Sequence, residues 1–319
     1  MARHRLCLIG GTGFVGRNLV SRLARDGHAL RVLTRRRDRH RNLLVFPTLE
    51  LVETDIHYAS NLMEALKGCD VVVNLVGILN EGRGEGASFQ SSHVELPRKV
   101  VEAARFNGVR RLLHMSALNA DPSAPSAYLR SKGEGESVAH EAAREGIAVT
   151  SFRPSVVFGP GDTFFNRFAR LLRLSPVLPL ACPGARFAPV YAGDVAEAFA
   201  RALDRPETYG RRYDLCGPES FTLRELVEFA AGVLGLRRSV IGLSDGMSRF
   251  QARVMERLPG KAFTLDNYLS MQLDSVCRDS GLAALGITPT GVAAVVPGYL
   301  GGRDRHRFYS GLRRAAGRG

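Results

Sequence analysis

Apolar residues recur along this chain in two alternating rhythms. Residues 5–9 are a short run rich in strand formers, glycines interrupt at 10–16, and Val15, Leu19 and Leu23 then fall on one helical face. Further strand-like runs lie at 29–33, 49–52 and 71–76, with a helical interval at 61–66; the run at 71–76 is apolar enough to be buried on both faces. Residues 89–106 have helical spacing, with Pro97 expected to kink or restart the helix. A strand at 111–115, a helix at 127–144 and a strand at 148–152 follow. Alternation of this kind over about 150 residues predicts a parallel sheet covered by helices on both faces.

Beyond Pro154 the texture changes. Gly159, Pro160, Gly161, Pro176, Pro179, Pro183 and Gly184 punctuate the chain, and only 195–203 and 223–234 read clearly as helices. The expected division is therefore a sheet domain over 1–160, with a return segment near 188–204, and a smaller cap region over 161–319 that forms the other wall of a cleft. The longest apolar runs, 71–79 and 292–300, are only strand-length, too short to span a bilayer. Residues 1–5 pass straight into the first strand without a secretory core, so a cytoplasmic protein is expected. Five cysteines, Cys7, Cys69, Cys182, Cys216 and Cys277, are odd in number and scattered, and are expected to be reduced and mostly buried.

The glycine cluster changes the picture from architecture to chemistry. Gly10, Gly11, Thr12, Gly13, Phe14, Val15 and Gly16 hold both a Gly-x-Gly-x-x-Gly and a Gly-x-x-Gly-x-x-Gly pattern between a strand and an amphipathic helix. Small residues there let the backbone turn, let a pyrophosphate approach the amides, and let helix and strand pack closely. The fold class is accordingly α/β, a doubly wound Rossmann sheet with a smaller C-terminal α/β cap. An NAD site usually carries an acid about 20 residues further on, for the ribose 2′-hydroxyl. Here the second strand ends in Thr34, Arg35, Arg36 and Arg37, whose guanidiniums suit a 2′-phosphate. NADP(H) is favoured and NAD(H) is the alternative.

Charge adds a second theme. Lys and Arg number 44 against 31 Asp and Glu, giving +13, and only Lys67, Lys99, Lys132 and Lys261 are lysine. Such a surface favours anionic partners, unless it reflects only a compositional preference for arginine. No nucleic-acid motif accompanies it, so nucleic acid is not expected. In the tail, Arg303, Arg305, Arg307, Arg313, Arg314 and Arg318 oppose only Asp304, with Phe308, Tyr309 and Leu312 among them. This tail is either a solvated end or a peripheral contact with an acidic membrane or respiratory partner.

Tyr128 and Lys132, spaced i, i+4 on one helix, form a candidate acid/base pair in which a Lys ammonium stabilises phenolate. Ser116 ends the preceding strand, where it either holds a substrate oxygen or begins a turn. Asn74 and Gly77 end the buried strand and would pass close to a cofactor; Asp55 either accepts from adenine or opens a turn. Together with Arg153–Asp162 and Pro189–Ala196, these motifs resemble the extended or atypical short-chain dehydrogenases/reductases, the superfamily of nucleotide-sugar epimerases and dehydratases, over about residues 4–300. The resemblance implies cofactor contacts from Asp55, Ile56, Leu75, Val76, Gly77, Tyr128, Lys132, Pro154 and Val156, and catalytic roles for Ser116, Tyr128 and Lys132.

Within that superfamily, residues 74–81, 126–132 and 285–290 are most similar to the nucleotide-binding accessory subunits of respiratory complex I and their bacterial relatives. This implies tight NADPH binding that need not include turnover, or work around ubiquinone. The alternative is an active oxidoreductase, epimerase or dehydratase with an unidentified small-molecule substrate. Only 12 positions separate Ser116 from Tyr128, which implies a substrate pocket unlike that of sugar epimerases.

Overall fold

β1 (Arg5–Ile9) sends Leu6 and Leu8 into one core and Cys7 and Ile9 into another, because strand side chains alternate between faces. A computed structural model of the chain describes residues 3–82, 84, 86–258, 261 and 263–301. From β1 it runs through α1 (Phe14–Arg25), β2 (Ala29–Thr34), β3 (Leu49–Glu53), α2 (Ala59–Ala65), β4 (Val71–Asn74) and α3 (Leu96–Phe106). Next come β5 (Arg111–Met115), α4 (Ala127–Glu141), β6 (Ala148–Pro154), β7 (Val157–Phe158), α5 (Phe164–Leu174) and β8 (Val177–Leu180). β9 (Arg186–Phe187), β10 (Val190–Tyr191), α6 (Ala192–Ala202), β11 (Arg212–Leu215), β12 (Phe221–Thr222) and α7 (Leu223–Val233) follow. β13 (Ser239–Gly242), α8 (Asp245–Met255), α9 (Leu265–Ser270), α10 (Gly281–Ala284) and α11 (Val292–Leu300) complete the described chain.

Seven strands form one parallel sheet in the order β11-β6-β5-β4-β1-β2-β3. The order reverses beside β1, which opens a crevice at the carboxyl ends of the strands. α1 and α6 cover one face of the sheet; α2, α3 and α4 cover the other. A third core joins α5, α7 and α11 with β8. The return to the sheet continues past residue 204: β11 adds the seventh strand, and Leu282 of α10 packs into the first core.

Several details differ from the sequence reading. β4 stops at Asn74, short of 76, because the Asn74 Oδ1 accepts the Val76 N–H (3.2 Å) and turns the chain out of the ladder. Pro97 does restart the helix, as expected: it sits in the first turn of α3, where its missing N–H costs little, after a wider π-wound turn, Gln90–Glu95. The strand-length run 292–300 is helix α11, whose Val292, Val296 and Leu300 share the buried face. Not all cysteines are reduced: Cys216, just after β11, and Cys277 form a disulfide across 61 residues, their Cα atoms 6.0 Å apart. Scattered spacing hid a pair that only the tertiary path brings together. Cys7 and Cys69 are free and buried, and Cys182 is free and half-buried. The arginine-rich tail lies outside the described residues.

A buried carboxylate helps to fasten α4 to the sheet. Glu136, 1% exposed, accepts two-pronged hydrogen bonds from Arg153 of β6 (2.8 Å each at the shortest) and another from Arg212 of β11. Burial alone would push the carboxyl up, but the Arg153 guanidinium outweighs it and holds the group below its usual range. Glu136→Gln should cost about 2–3 kcal/mol at pH 7, less than for a fully buried pair because both arginines are partly exposed. The depressed pKa makes this contribution complete above the usual carboxyl range and lost as pH falls through the lower, folded value. Urea unfolding across pH should therefore show wild type and variant converging in acid.

Candidate active site

The phosphate cradle follows from close packing at the start of α1. A Cβ on Gly16 would sit 2.5 Å from the Gly10 carbonyl oxygen, so only glycine lets helix and turn meet there. Gly10 itself has φ +82° and lies against the Leu75 and Val76 backbone just after β4. α1 begins at Gly13 with no side-chain cap and no acid in its first turn, which leaves its amide dipoles open to an anion. Gly13 is exposed, while Thr12, Phe14 and Val15 are half-buried along the same edge. These features fit a dinucleotide, which the 10–16 turn and the start of α1 would hold.

Arg35 and Arg36 are exposed beyond β2 and make no ion pair among the described residues. The Glu53 carboxylate at the end of β3 is turned to the Arg37 N–H (2.7 Å), which leaves these guanidiniums without an acid of their own. The Asp55 Oδ1 accepts the His57 N–H (3.0 Å), so this residue does open a turn. Ile56 and Val76 pack on the second core and Leu75 on the first. Pro154, the last residue of β6, accepts the Leu118 N–H, and the Val156 carbonyl accepts from Val190.

The helical repeat of α4 places Tyr128, Lys132 and Glu136 in one line. The buried Lys132 ammonium donates to the Met115 carbonyl at the end of β5 (2.7 Å). A Cβ on Gly77 would lie 3.6 Å from that amine, so the end of β4 joins the same cluster. Burial lowers Lys132 to about 8, against the partial support of Glu136. Tyr128, half-buried, is pushed up to about 12 by burial and by the Asp266 carboxylate. Ser116 is tied by its N–H to Phe152 O (2.7 Å). The Ser116 side chain is buried and lies beside Glu136, whose carboxyl it helps to hold below its usual range.

Two further groups escaped the sequence reading. The His93 Nε2 accepts the Ile78 N–H (3.0 Å) while its Nδ1 meets Ser131 Oγ (2.9 Å), whose hydroxyl donates to the Tyr128 carbonyl (2.9 Å). Nδ1 therefore carries the proton. Burial and then the Lys132 charge hold His93 neutral, at about 2, and its ring meets Tyr128 edge-on. Asp266 of α9 accepts the Ala127 and Tyr128 N–H groups (2.6 and 3.1 Å), and Ser270 donates to Ser126 (2.8 Å). A lone histidine on a helical face carries no local signal. Asp266 stands about 140 residues from its partners, in a region without clear periodicity. Lys132, His93 and Gly77 thus meet at the carboxyl ends of β4 and β5 with Tyr128 on the far side of the His93 contact and Ser116 beside Glu136, whereas Arg35 and Arg36 stand apart beyond β2.

The chain belongs to the NAD dependent epimerase/dehydratase family, whose model matches residues 6–216. This is the extended branch of the short-chain dehydrogenases/reductases, and it makes the chain a nucleotide-binding protein. It is 32% identical to the mouse (Mus musculus) protein "NADH dehydrogenase [ubiquinone] 1 alpha subcomplex subunit 9, mitochondrial", over 71% of this chain and 60% of that protein. The chain thus spans about 60% of the length of the first curated relatives it matches. It is 34% identical to the ceramide reductase of Caulobacter vibrioides, over 76% of this chain and 75% of that protein. Among solved structures, gox2253 superposes with a TM-score of 0.74 at 22% identity, covering 99% of both chains. MoeE5 in complex with UDP-glucose and NAD gives 0.69 at 21%, covering 93% of this chain and 97% of that one. Among the described residues no helix is long and apolar enough to cross a membrane, and no cluster of side chains could hold a metal ion.

Lys132→Met should raise the stability of the cofactor-free protein at pH 7 by on the order of 2 kcal/mol, since it removes a charge held in a dry site. Above about 8 the wild-type amine sheds its proton when folded but keeps it when unfolded, so wild-type stability rises with pH there. The advantage of the variant should shrink over that range in chemical unfolding curves. An advantage independent of pH would contradict the buried charge.

Proposed function

We propose that the protein is an NADP(H)-dependent oxidoreductase that reduces a carbonyl group on an apolar substrate. The buried Lys132 amine carries this reading: it is held on the Met115 carbonyl at the end of β5, beside Gly77 and one helical turn from Tyr128. When bound, the nicotinamide supplies the hydride. The phenol of Tyr128, held protonated by burial, is in the state to give a proton to the oxygen of a carbonyl being reduced. Ser116 orients that oxygen. Lys132, still an ammonium at neutral pH, stabilises the phenolate left behind. The sheet with α6, β11 and α10 holds the cofactor, and the third core provides the opposite wall.

Arg35 and Arg36 support the 2′-phosphorylated cofactor, with Asp55, Ile56, Leu75, Val76, Pro154 and Val156 along its path. Similarity to the ceramide reductase supports an apolar substrate. A second reading, a subunit that holds NADP(H) without turning it over at a respiratory membrane, draws on similarity to the mitochondrial complex I proteins. The complete Ser116, Tyr128 and Lys132 set favours the enzyme.

NADPH should bind about tenfold tighter than NADH, one charge-assisted phosphate contact being worth about 1.5–3 kcal/mol. Replacing both Arg35 and Arg36 with Ala should remove the difference. In a screen of ketone, quinone and ceramide-type substrates, Tyr128→Phe should lower turnover by about 10²-fold with cofactor affinity nearly unchanged. Calorimetric titration and product analysis read both outcomes. NADPH retained without turnover of any substrate class would favour the subunit reading.

A further inference from the structure

α8 presents an apolar stripe to solvent. Met247, Phe250 and Val254 are 51%, 61% and 42% exposed, and at 100° per residue they share one arc of the helix. Leu258, one turn beyond the helix end, continues the spacing at 54%. The opposite arc is satisfied: Ala252 is buried, and the buried Ser248 accepts the Cys182 N–H. Gln251 reaches the Pro179 carbonyl of β8 (3.4 Å), and Pro179 is paired in register with Ile241 of β13, itself 53% exposed. The stripe therefore runs on into the open face of the β8–β13 pair.

Beside this stripe stand Arg249, Arg253 and Arg257, four residues apart on the adjoining arc. All three are exposed, and none makes an ion pair among the described residues. Of the two exposed acids on this segment, Asp245 accepts from the Tyr268 hydroxyl (2.6 Å), and Glu256 is the other, so the three arginines outnumber them.

We propose that α8 and the adjoining β8–β13 face form a surface that docks on an anionic lipid bilayer. The apolar arc enters the headgroup boundary while the arginines meet lipid phosphates, the arrangement of an interfacial helix lying in the membrane plane. A second copy of this chain suits the surface less well, since it carries the same unpaired arginines and the same +13 charge, with no counter-charge to offer. Contiguous apolar surface of this kind is uncommon on a face meant only for water. The surface is separate from the cradle and from the Tyr128 cluster, so it stands whether or not the protein turns NADPH over.

The test is co-sedimentation of the full chain with phosphatidylcholine vesicles, with and without phosphatidylglycerol, at low and high salt. Wild type should bind the anionic vesicles at low salt. The double variant Phe250→Asp with Val254→Asp, and separately the triple variant Arg249→Gln, Arg253→Gln and Arg257→Gln, should each weaken binding at least about tenfold. Melting temperature and NADPH affinity should stay at wild-type values, which shows that the variants fold. A chain truncated before residue 302 should retain sensitivity to the α8 substitutions. No binding by wild type, or binding that depends on the tail and ignores α8, overturns the proposal. So does a dimer in sedimentation that Phe250→Asp with Val254→Asp splits into monomers without any vesicle binding.

Discussion

The buried ammonium of Lys132 is the charge around which the site is arranged. Its contact with the Met115 carbonyl ties α4 to the end of β5, and its position beside Gly77 brings in the end of β4. Burial, aided by this charge, keeps His93 and His114 neutral, so the cluster holds one cation rather than three. A charged amine in so dry a place costs stability, and the fold tolerates it only with Glu136 one turn along the helix. The same dryness keeps Tyr128 protonated.

Position along α4 is set from both ends. Arg153 and Arg212 hold Glu136 against the sheet, while Asp266 and Ser270, from a distant part of the chain, cap the first turn. α9 supplies the carboxylate that accepts the Ala127 and Tyr128 N–H groups and so fixes the start of α4. Ser155 donates to Ser275 O (2.7 Å), and the Cys216–Cys277 disulfide follows two residues later, so the strap after α9 is also tied across the carboxyl ends of β6 and β11.

Much of this was legible in the sequence where the determining signal is local. The Gly10–Gly16 turn, the alternation of buried strands and helices, and the four-residue step from Tyr128 to Lys132 depend on backbone sterics and helical period, which short windows carry. The end of β4 was misjudged because the Asn74 side chain, rather than a loss of hydrophobicity, turns the chain out of the sheet. Residues 292–300 read as merely apolar, since nearly every position there is hydrophobic and the buried four-residue spacing does not stand out. The disulfide, the Asp266 cap and the role of His93 were hidden for another reason. Each joins segments far apart in the chain, and no local pattern records such a meeting.

The ionisation of the Tyr128 phenol is the property on which the proposed proton transfer depends. Tyrosine labelled with carbon-13 at its ring Cζ, with the Tyr128 signal assigned by comparison with Tyr128→Phe, would report that ionisation directly as pH is raised. In the cofactor-free protein the signal should stay that of a neutral phenol past pH 10, since burial and Asp266 push the group up to about 12. With NADP⁺ bound, the added positive charge of the nicotinamide ring should bring the transition to lower pH, and less so in Lys132→Met. A Tyr128 that ionises in the ordinary phenol range without cofactor, or one indifferent to both NADP⁺ and Lys132, would contradict the account.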